Sequence, residues 1–359
     1  MFPDGRRPVK SLSSRYLDAL RFSGEDAATL NALGESRGRQ DLYRRQAPEV
    51  LDGLRTAAVV ESSESSNRIE GVVAPPARIE ALVLKNSIPW NRGEQEIAGY
   101  RDALNLIHES HAEMAFSVNV VLQLHSMLYR YHAAEGGRWK AAANEIVERA
   151  GDGNVHRVRF TPPGPVETPD LMRGLAEGYR QAVEAEREPA VLVPLAVLDF
   201  LCIHPFRDGN GRLARLLTLL LLYRHGYDVG RYISLERIVE ESKETYYETL
   251  EASSRGWHEG RHDALPWMRY FWGVVLRAYG EFEERVGALT EGKGSKAGMV
   301  EVAVRRRIGA FAISDIEADC PGVSRDWIRL VLRRLRDEGR IEARGRGRGA
   351  KWIRRDDGG

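Results

Sequence analysis

The run His204-Pro-Phe-Arg-Asp-Gly-Asn-Gly-Arg-Leu-Ala-Arg215 puts an imidazole, a carboxylate, a Gly-Asn-Gly loop and two arginines within twelve residues. A glycine-rich loop that opens a helix turns successive backbone N–H groups outward at the positive end of the helix dipole, which makes a cradle for phosphate. Gly209 and Gly211 let the backbone approach an anion closely, and the Asn210 amide adds a donor. Arg212 and Arg215, three residues apart, share a helical face from which both can reach a polyphosphate. His204, just upstream, stands where a general base for an incoming hydroxyl is needed. Asp208 offers a hard oxygen to Mg²⁺, which takes one or two carboxylates and fills its shell with phosphate oxygens. Taken singly, a histidine before proline is a helix end, GNG a turn and the arginine pair a solvated face. In this order, between two buried helices, they predict a phosphate-transfer site.

Those helices are legible on either side. The apolar run Val191 to Ile203 leads into the motif and Leu216 to Tyr223 leads out of it, and the reading is helices over 191–203 and 211–225. Upstream, Ala47, Val50, Leu51, Leu54, Ala57 and Val60 recur at three- and four-residue steps, a short helix follows Ala74-Pro75-Pro76, and amphipathic helices are expected over 94–111 and 117–132. From Arg138 to Phe160 apolar and polar residues alternate about Gly151-Asp-Gly-Asn154, the pattern of a hairpin. Further helices are expected over 169–186, 234–253 and 266–289. Residues 1–40 are polar, rich in Gly, Ser and Arg, and expected to be only partly ordered.

At residues 204–215 the sequence resembles the Fic family, whose signature H-P-F-x-[D/E]-G-N-G-R-x-x-R is matched at every fixed position. The resemblance implies a mainly α fold, a Fic-type helical core with a β-hairpin flap, that transfers AMP from ATP to a Ser, Thr or Tyr hydroxyl of a protein substrate or of the chain itself. It makes His204 the base and Asp208 the Mg²⁺ ligand. Gly209, Asn210 and Gly211 would hold the α- and β-phosphates with Arg212 beside them, and Arg215 would meet the γ-phosphate. Gly211 stands where the Doc-like kinases of this fold carry lysine, which favours the adenylylating branch. Gly137-Arg-Trp139, the hairpin and Phe160-Thr-Pro-Pro163 resemble the flap that aligns a target segment by strand addition. Tyr246-Tyr247 resembles the adenine-side pair, with plain packing as the other reading, and Trp257 and Trp267 to Trp272 are assigned to packing. The likeness covers roughly residues 40–285.

Ser66, Glu70 and Gly71 match the family's inhibitory pattern [S/T]-x-x-x-E-[G/N]. Upstream of the core, this places the chain with the class whose inhibitory helix, here around 57–71, is N-terminal. A Glu70 carboxylate paired with Arg215 would withdraw the cation meant for the γ-phosphate and put negative charge in its seat. In some members that glutamate is linked instead to removal of AMP by water, and this alternative stays open.

The bulk properties set no other course. A net charge of +1 over 359 residues gives no global reason for nucleic-acid or membrane binding, and 216–223 is too short to span a bilayer. Two cysteines, Cys202 and Cys320, far apart, support neither a disulfide framework nor a cysteine zinc site, and a cytoplasmic location fits. The N-terminus lacks the apolar core of a secretory signal. The expected organisation is an N-terminal helical region over 1–112, a Fic core over 113–289, a linker over 290–299 and a small winged-helix-like domain over 300–359. In that domain Ser324 should cap a third helix with Trp327, Leu330, Val331 and Leu335 on one face, and Arg325, Arg329, Arg333, Arg334 and Arg336 stud it. Arg344, Arg346, Arg348 and Lys351 would furnish a wing. Such a unit suits DNA contact, a protein contact or a plain solvated face, which opens a rival function: a DNA-binding regulator whose core senses nucleotide. A toxin with an antitoxin partner is the third reading, and a homodimer is compatible with the sequence.

Overall fold

The computed structural model describes residues 10–46, 48–132, 136–149, 155–290, 296–305, 307, 310–320, 323–344 and 351–354. It is mainly helical. Helices α1 (Ser14–Ala19), α2 (Gly24–Gln46) and α3 (Pro48–Ile69) precede α4 (Pro76–Leu84), α5 (Arg92–Ser110) and α6 (Val118–Leu128). An antiparallel hairpin of β1 (Ile146–Arg149) and β2 (Val155–Phe160) interrupts them. Then come α7 (Thr168–Glu184), α8 (Pro189–Ile203), α9 (Asn210–Arg224), α10 (Leu235–Glu241), α11 (Lys243–Ser254) and α12 (Leu265–Thr290). Two compact units divide the chain: residues 1–42 with 53–280, and residues 43–52 with 281–359.

The first unit is built around α8 and α9, which are buried over nearly their whole length. Such apolar helices have no solvent face and must lie at the centre of a bundle. Pro194 lies inside α8 and cannot donate to the carbonyl four residues back. That carbonyl, of Ala190, accepts instead from the Trp272 indole at 2.7 Å, and Trp267 donates to the Pro194 carbonyl at 2.8 Å. Trp272, assigned to packing, thus also repairs a proline break, and Trp267 ties down the carbonyl of the proline itself.

Three expectations change. Residues 10–40 are polar yet built into the unit. Ser11 is fully buried against Asp199 and His262, Asp26 pairs with Arg269 at 2.7 Å, and Gln40 bonds Gly226, Asp228 and Tyr279. The single helix expected over 234–253 breaks at Ser242, whose hydroxyl donates to Ile238 O and bonds Tyr270 Oη. The strands of the hairpin are shorter than the alternation suggests, because residues 140–144 bond the α8–α9 loop instead; its tip, 151–154, lies outside the described residues.

In the second unit α13 (Lys296–Arg305), α14 (Ile313–Asp319) and α15 (Arg325–Asp337) are followed by the antiparallel pair β3 (Ile341–Arg344) and β4 (Lys351–Arg354). Val300, Ile316, Ile328, Leu332 and Ile341 form its core. Ser324 caps α15 by accepting from Trp327 N. The buried stripe, however, is Ile328, Val331, Leu332 and Leu335, while Trp327 and Leu330 are exposed. The i, i+3, i+4, i+7 set that starts at 328 is the wider apolar face, and it takes the core. Arg346, Arg348 and most of the expected linker lie outside the described residues.

Candidate functional site

The loop between α8 and α9 carries the motif. His204 ends α8 in the left-handed region (φ 48°, ψ 59°), with its N–H on Phe200 O at 2.9 Å. Its Nδ1 lies 3.3 Å from Leu201 O, the geometry of an Nδ1–H donor that leaves Nε2 with a free lone pair. Burial pushes the imidazole down to about 4; the Lys140 charge acts in the same sense, while the Leu201 carbonyl, Glu70 and Asp208 oppose it. At neutral pH the ring is therefore uncharged and able to accept a proton.

Asn210 is buried, and its side chain closes the loop: Oδ1 accepts from Phe206 N at 3.0 Å and Nδ2 donates to Phe206 O at 2.8 Å. The donor expected for phosphate is spent largely on shaping the loop, and the backbone amides at the start of α9 are left to face an anion. Gly209 has φ 79°, which favours glycine, and a Cβ there would come to 3.0 Å from Tyr129 Oη, a tight contact that the ring would have to relieve. Asp208 accepts from Gly209 N at 2.7 Å and lies 3.7 Å from both Arg212 and Arg92, with its carboxylate 56% exposed.

The two arginines part company. Arg212 points into the protein: it is 2% exposed, donates to Glu96 at 2.5 Å and to Tyr129 Oη at 3.2 Å, and does not line the cavity described below. Arg215 turns to the end of α3. Its Nε donates to Ser66 Oγ, and its terminal nitrogen to Ser66 O and to Glu70 Oε1, each at 2.8 Å. Burial opposes the charge on Arg215 and Glu70 restores it, so the guanidinium is held firmly protonated. Glu70 follows the last residue of α3, and Gly71 turns the chain with φ 82°. The Glu70 carboxylate lies directly over Gly211, where a Cβ would collide with Oε1.

These groups meet at a cavity of about 510 Å³. Its wall includes Glu70, His204, Gly211, Arg215, Tyr246 and Tyr247, with Ile146, Val147, Arg159 and Phe160 of the hairpin and Lys243 and Glu251 of α11. The volume lies within the range of sites that enclose a small ligand. Tyr246 is buried edge-on against Tyr247, Trp267 and Tyr270, and burial pushes its hydroxyl up. Arg157 holds β2 on α11 through both oxygens of Glu251, at 2.9 and 2.8 Å.

Several contributors carried no signal in the sequence. Lys140 Nζ donates to Ile203 O at 3.1 Å and to Asn144 Oδ1 at 2.9 Å, and its N–H donates to Pro205 O at 2.9 Å. His125 stacks on Phe206 at 3.6 Å, accepts from Gly137 N at 2.8 Å and meets Asp208 O at 3.1 Å; burial lowers it to about 4. Lys243 donates to Ile69 O at 2.9 Å, beside Glu70. An alternating or helical spacing cannot mark such residues, because each acts across a long sequence separation.

With the geometry in hand, known proteins give it context. Residues 115–222 match the Fic/DOC family, and the match contains the whole of the 204–215 loop. Protein adenylyltransferase Fic of Drosophila melanogaster is 27% identical over 267 residues, covering 73% of this chain and 47% of that protein. Protein adenylyltransferase fic-1 of Caenorhabditis elegans is 24% identical over 204 residues, 55% of this chain and 35% of that protein. The chain thus spans less than half the length of these curated relatives. Among solved structures, a Fic family protein from Desulfovibrio desulfuricans G20 aligns with TM-score 0.61 at 20% identity over 95% of this chain and 98% of its own. Fic-1 of C. elegans, residues 134–508, aligns with TM-score 0.57 at 20% identity over 74% and 73% of the two chains. The chain carries a Fic domain over residues 115–222, set in a helical fold that Fic proteins share.

Proposed function

We propose that the protein moves AMP from ATP to a hydroxyl of a protein substrate and that Glu70 restrains it. The observation that carries the reading is the cavity in which a neutral His204, the amide-lined start of α9 at Gly211, and Arg215 all meet beneath the hairpin. The relatives' names, protein adenylyltransferase, point the same way.

In this reading the phosphates lie along Gly209–Gly211, with the γ-phosphate at Arg215 and the adenine towards Tyr246 and Tyr247. His204 Nε2 takes the proton of a Ser, Thr or Tyr hydroxyl as its oxygen bonds to the α-phosphorus. The bond from that phosphorus to the bridging oxygen breaks, and pyrophosphate leaves with the electron pair. The target strand would pair along the hairpin edge, which fixes the hydroxyl in line. Asp208, a hard and half-exposed carboxylate next to the phosphate cradle, suits Mg²⁺, which would neutralise charge on the phosphates. The Arg212–Glu96 pair sets the loop from behind.

Glu70 withdraws Arg215 and overlies Gly211, so a triphosphate meets a carboxylate in place of a cation. Incubation with ATP labelled at the α-phosphate tests the reading. Glu70→Gly should take up label, and His204→Ala in that background should not; absence of label in both would refute it. Release of AMP from a labelled target by wild type, lost on Glu70→Gly, would instead favour the hydrolytic alternative.

A DNA-contacting second unit remains the rival for residues 300–355. Exposed Trp327 and Leu330 on α15 favour contact with some partner. The arginines near them are engaged by carboxylates, Arg325 with Glu317 and Arg334 with Glu301, which weakens a phosphate footprint. Retention on random duplex DNA that falls steeply with salt would support it, and no retention at low salt would dispose of it.

A further inference from the structure

We propose that Lys140 is a positioning residue for the reaction assigned to this site, holding the backbone on both sides of His204 so that the imidazole faces the cavity. The proposal rests on the AMP-transfer reading. Its starting point is a conformation that needs support. His204 is a non-glycine residue at φ 48°, a left-handed conformation that crowds the Cβ of an L-residue against the following carbonyl oxygen. It also ends α8, where the last carbonyls have no helical donor.

One residue meets both needs. The ammonium of Lys140 caps the carbonyl of Ile203, immediately before His204, and its backbone N–H holds the carbonyl of Pro205, immediately after. A cation at a helix C-terminus is favoured by the helix dipole. Asn144 completes the splint: it accepts from the ammonium and donates through Nδ2 to Phe206 O at 3.1 Å. Three bonds therefore run from Lys140 and Asn144 to the carbonyls of Ile203, Pro205 and Phe206, which flank the base, and a fourth ties the two residues to each other. Lys140 is only 4% exposed and does not line the cavity, so it has no place in nucleotide binding. The same segment runs on into β1, whose Ile146 and Val147 do line the cavity. Base and hairpin are thereby referred to one piece of backbone.

The test uses the full chain carrying Glu70→Gly. Lys140→Met should lower kcat roughly 10- to 100-fold, the cost of a base displaced by about an ångström. KM for ATP should change less than about twofold, because uniform binding is untouched. Lys140→Arg should recover most of the loss. A charge readout separates this role from loose packing. The charges that face His204 are Lys140, Glu70 and Asp208. Removing the lysine cation should therefore move the His204 titration, followed by NMR of ring-labelled histidine, to higher pH, with or without transfer activity. If Glu70→Gly takes up no label at all, the AMP-transfer reading fails, and the NMR shift still decides whether Lys140 acts on His204. Unchanged kcat and an unchanged titration in Lys140→Met would overturn the proposal. Should that variant not fold, Asn144→Ala keeps the charge and the Ile203 bond but removes the ties from Asn144 to the ammonium and to Phe206 O. It should cost about tenfold in kcat with KM unmoved, and full activity there would also overturn the proposal.

Discussion

Replacing Glu70 by glycine removes one of the three bonds that fix the Arg215 guanidinium. The two bonds to Ser66 remain, so the cation stays at the cavity wall, unpaired and free to meet a phosphate. A charge-assisted bond of this kind contributes about 1.5–3 kcal/mol net. The Glu70 side chain is a third exposed, and water screening takes the value to the lower half of that range. A second effect adds to it. A carboxylate about 4 Å from a phosphate charge is repelled by about 4 kcal/mol at an intermediate dielectric, of which solvent and counterions leave a fraction. Together the proposed brake would be worth about 2–3 kcal/mol, roughly a 30- to 160-fold rise in initial rate when it is removed.

Glu70→Gln divides this sum. It leaves a side chain of the same size over Gly211 whose amide oxygen can still accept from Arg215, so the seat and part of the bond stay while the repulsion and the charge assistance go. The expected gain is smaller, about 3- to 10-fold. The assay is the initial rate of label transfer from α-phosphate-labelled ATP with excess Mg²⁺, with His204→Ala in each background as the blank. Equal rates for wild type, Glu70→Gln and Glu70→Gly would refute the brake. A rate for the glutamine variant equal to that of glycine would show that charge alone is responsible.

Three further outcomes follow from the same geometry. Burial pushes His204 down to about 4, and with its neutral form as the proposed base kcat/KM should hold from neutral pH down to about 5 and fall as the ring protonates through 4; an acid limb at 6.5 in protein still folded by circular dichroism would contradict the buried, neutral ring. Glu96→Ala strands the buried Arg212 cation and should cost about 3–5 kcal/mol in urea unfolding, less whatever Tyr129 and Asn67 recover; a loss under about 1 kcal/mol would mean that the pair is effectively solvated. Gly209→Ala forces a Cβ into the left-handed region and against Tyr129, and should lower stability by about 1–2 kcal/mol and weaken nucleotide binding, both read from thermal unfolding with and without ATP.

What could be read beforehand follows from how local each signal is. The α8–motif–α9 arrangement is continuous in sequence, and both flanking helices announce themselves by uninterrupted apolar runs. The hairpin is legible in its alternation, though its first residues are diverted to the His204 loop. The Ser66–Glu70 spacing survives as a contact, since one helical turn brings both to Arg215. Other features have no local signature. The spacing of Arg212 and Arg215 puts them on one helical face, yet Glu96, 116 residues away, draws Arg212 inward while the end of α3 holds Arg215 at the cavity. Ser11, Asp26 and Gln40 look like polar surface because their partners lie far along the chain. On α15, Trp327 is the larger apolar residue, but the more continuous stripe from Ile328 takes the core.

The composition of the proposed brake bears on how it could be released. The inward face of α3 in its last two turns is mostly polar: Ser62, Ser63, Ser65, Ser66 and Asn67 are all buried, with Ile69 as the buried apolar anchor at its end. Its seat rests on polar ties: Ser62 to Ser234 at 2.9 Å, Arg237 to Glu61 at 3.3 Å, Arg68 to Glu240 at 3.2 Å, and Lys243 to Ile69 O at 2.9 Å. Undocking the helix would break all of these together and bare five polar groups, a cost of several net hydrogen bonds at about 1 kcal/mol each. Moving Glu70 alone breaks one bond to Arg215. The residue lies beyond the helix end, where Asn67 O already accepts from both Glu70 N and Val72 N and Gly71 turns with φ 82°. The cheaper route is a rotation of one side chain about a glycine hinge, with α3 left in place. Gly71→Ala should therefore alter the rate of AMP transfer without altering hydrogen-exchange protection along residues 55–66, and loss of that protection on release would show that the whole helix moves instead.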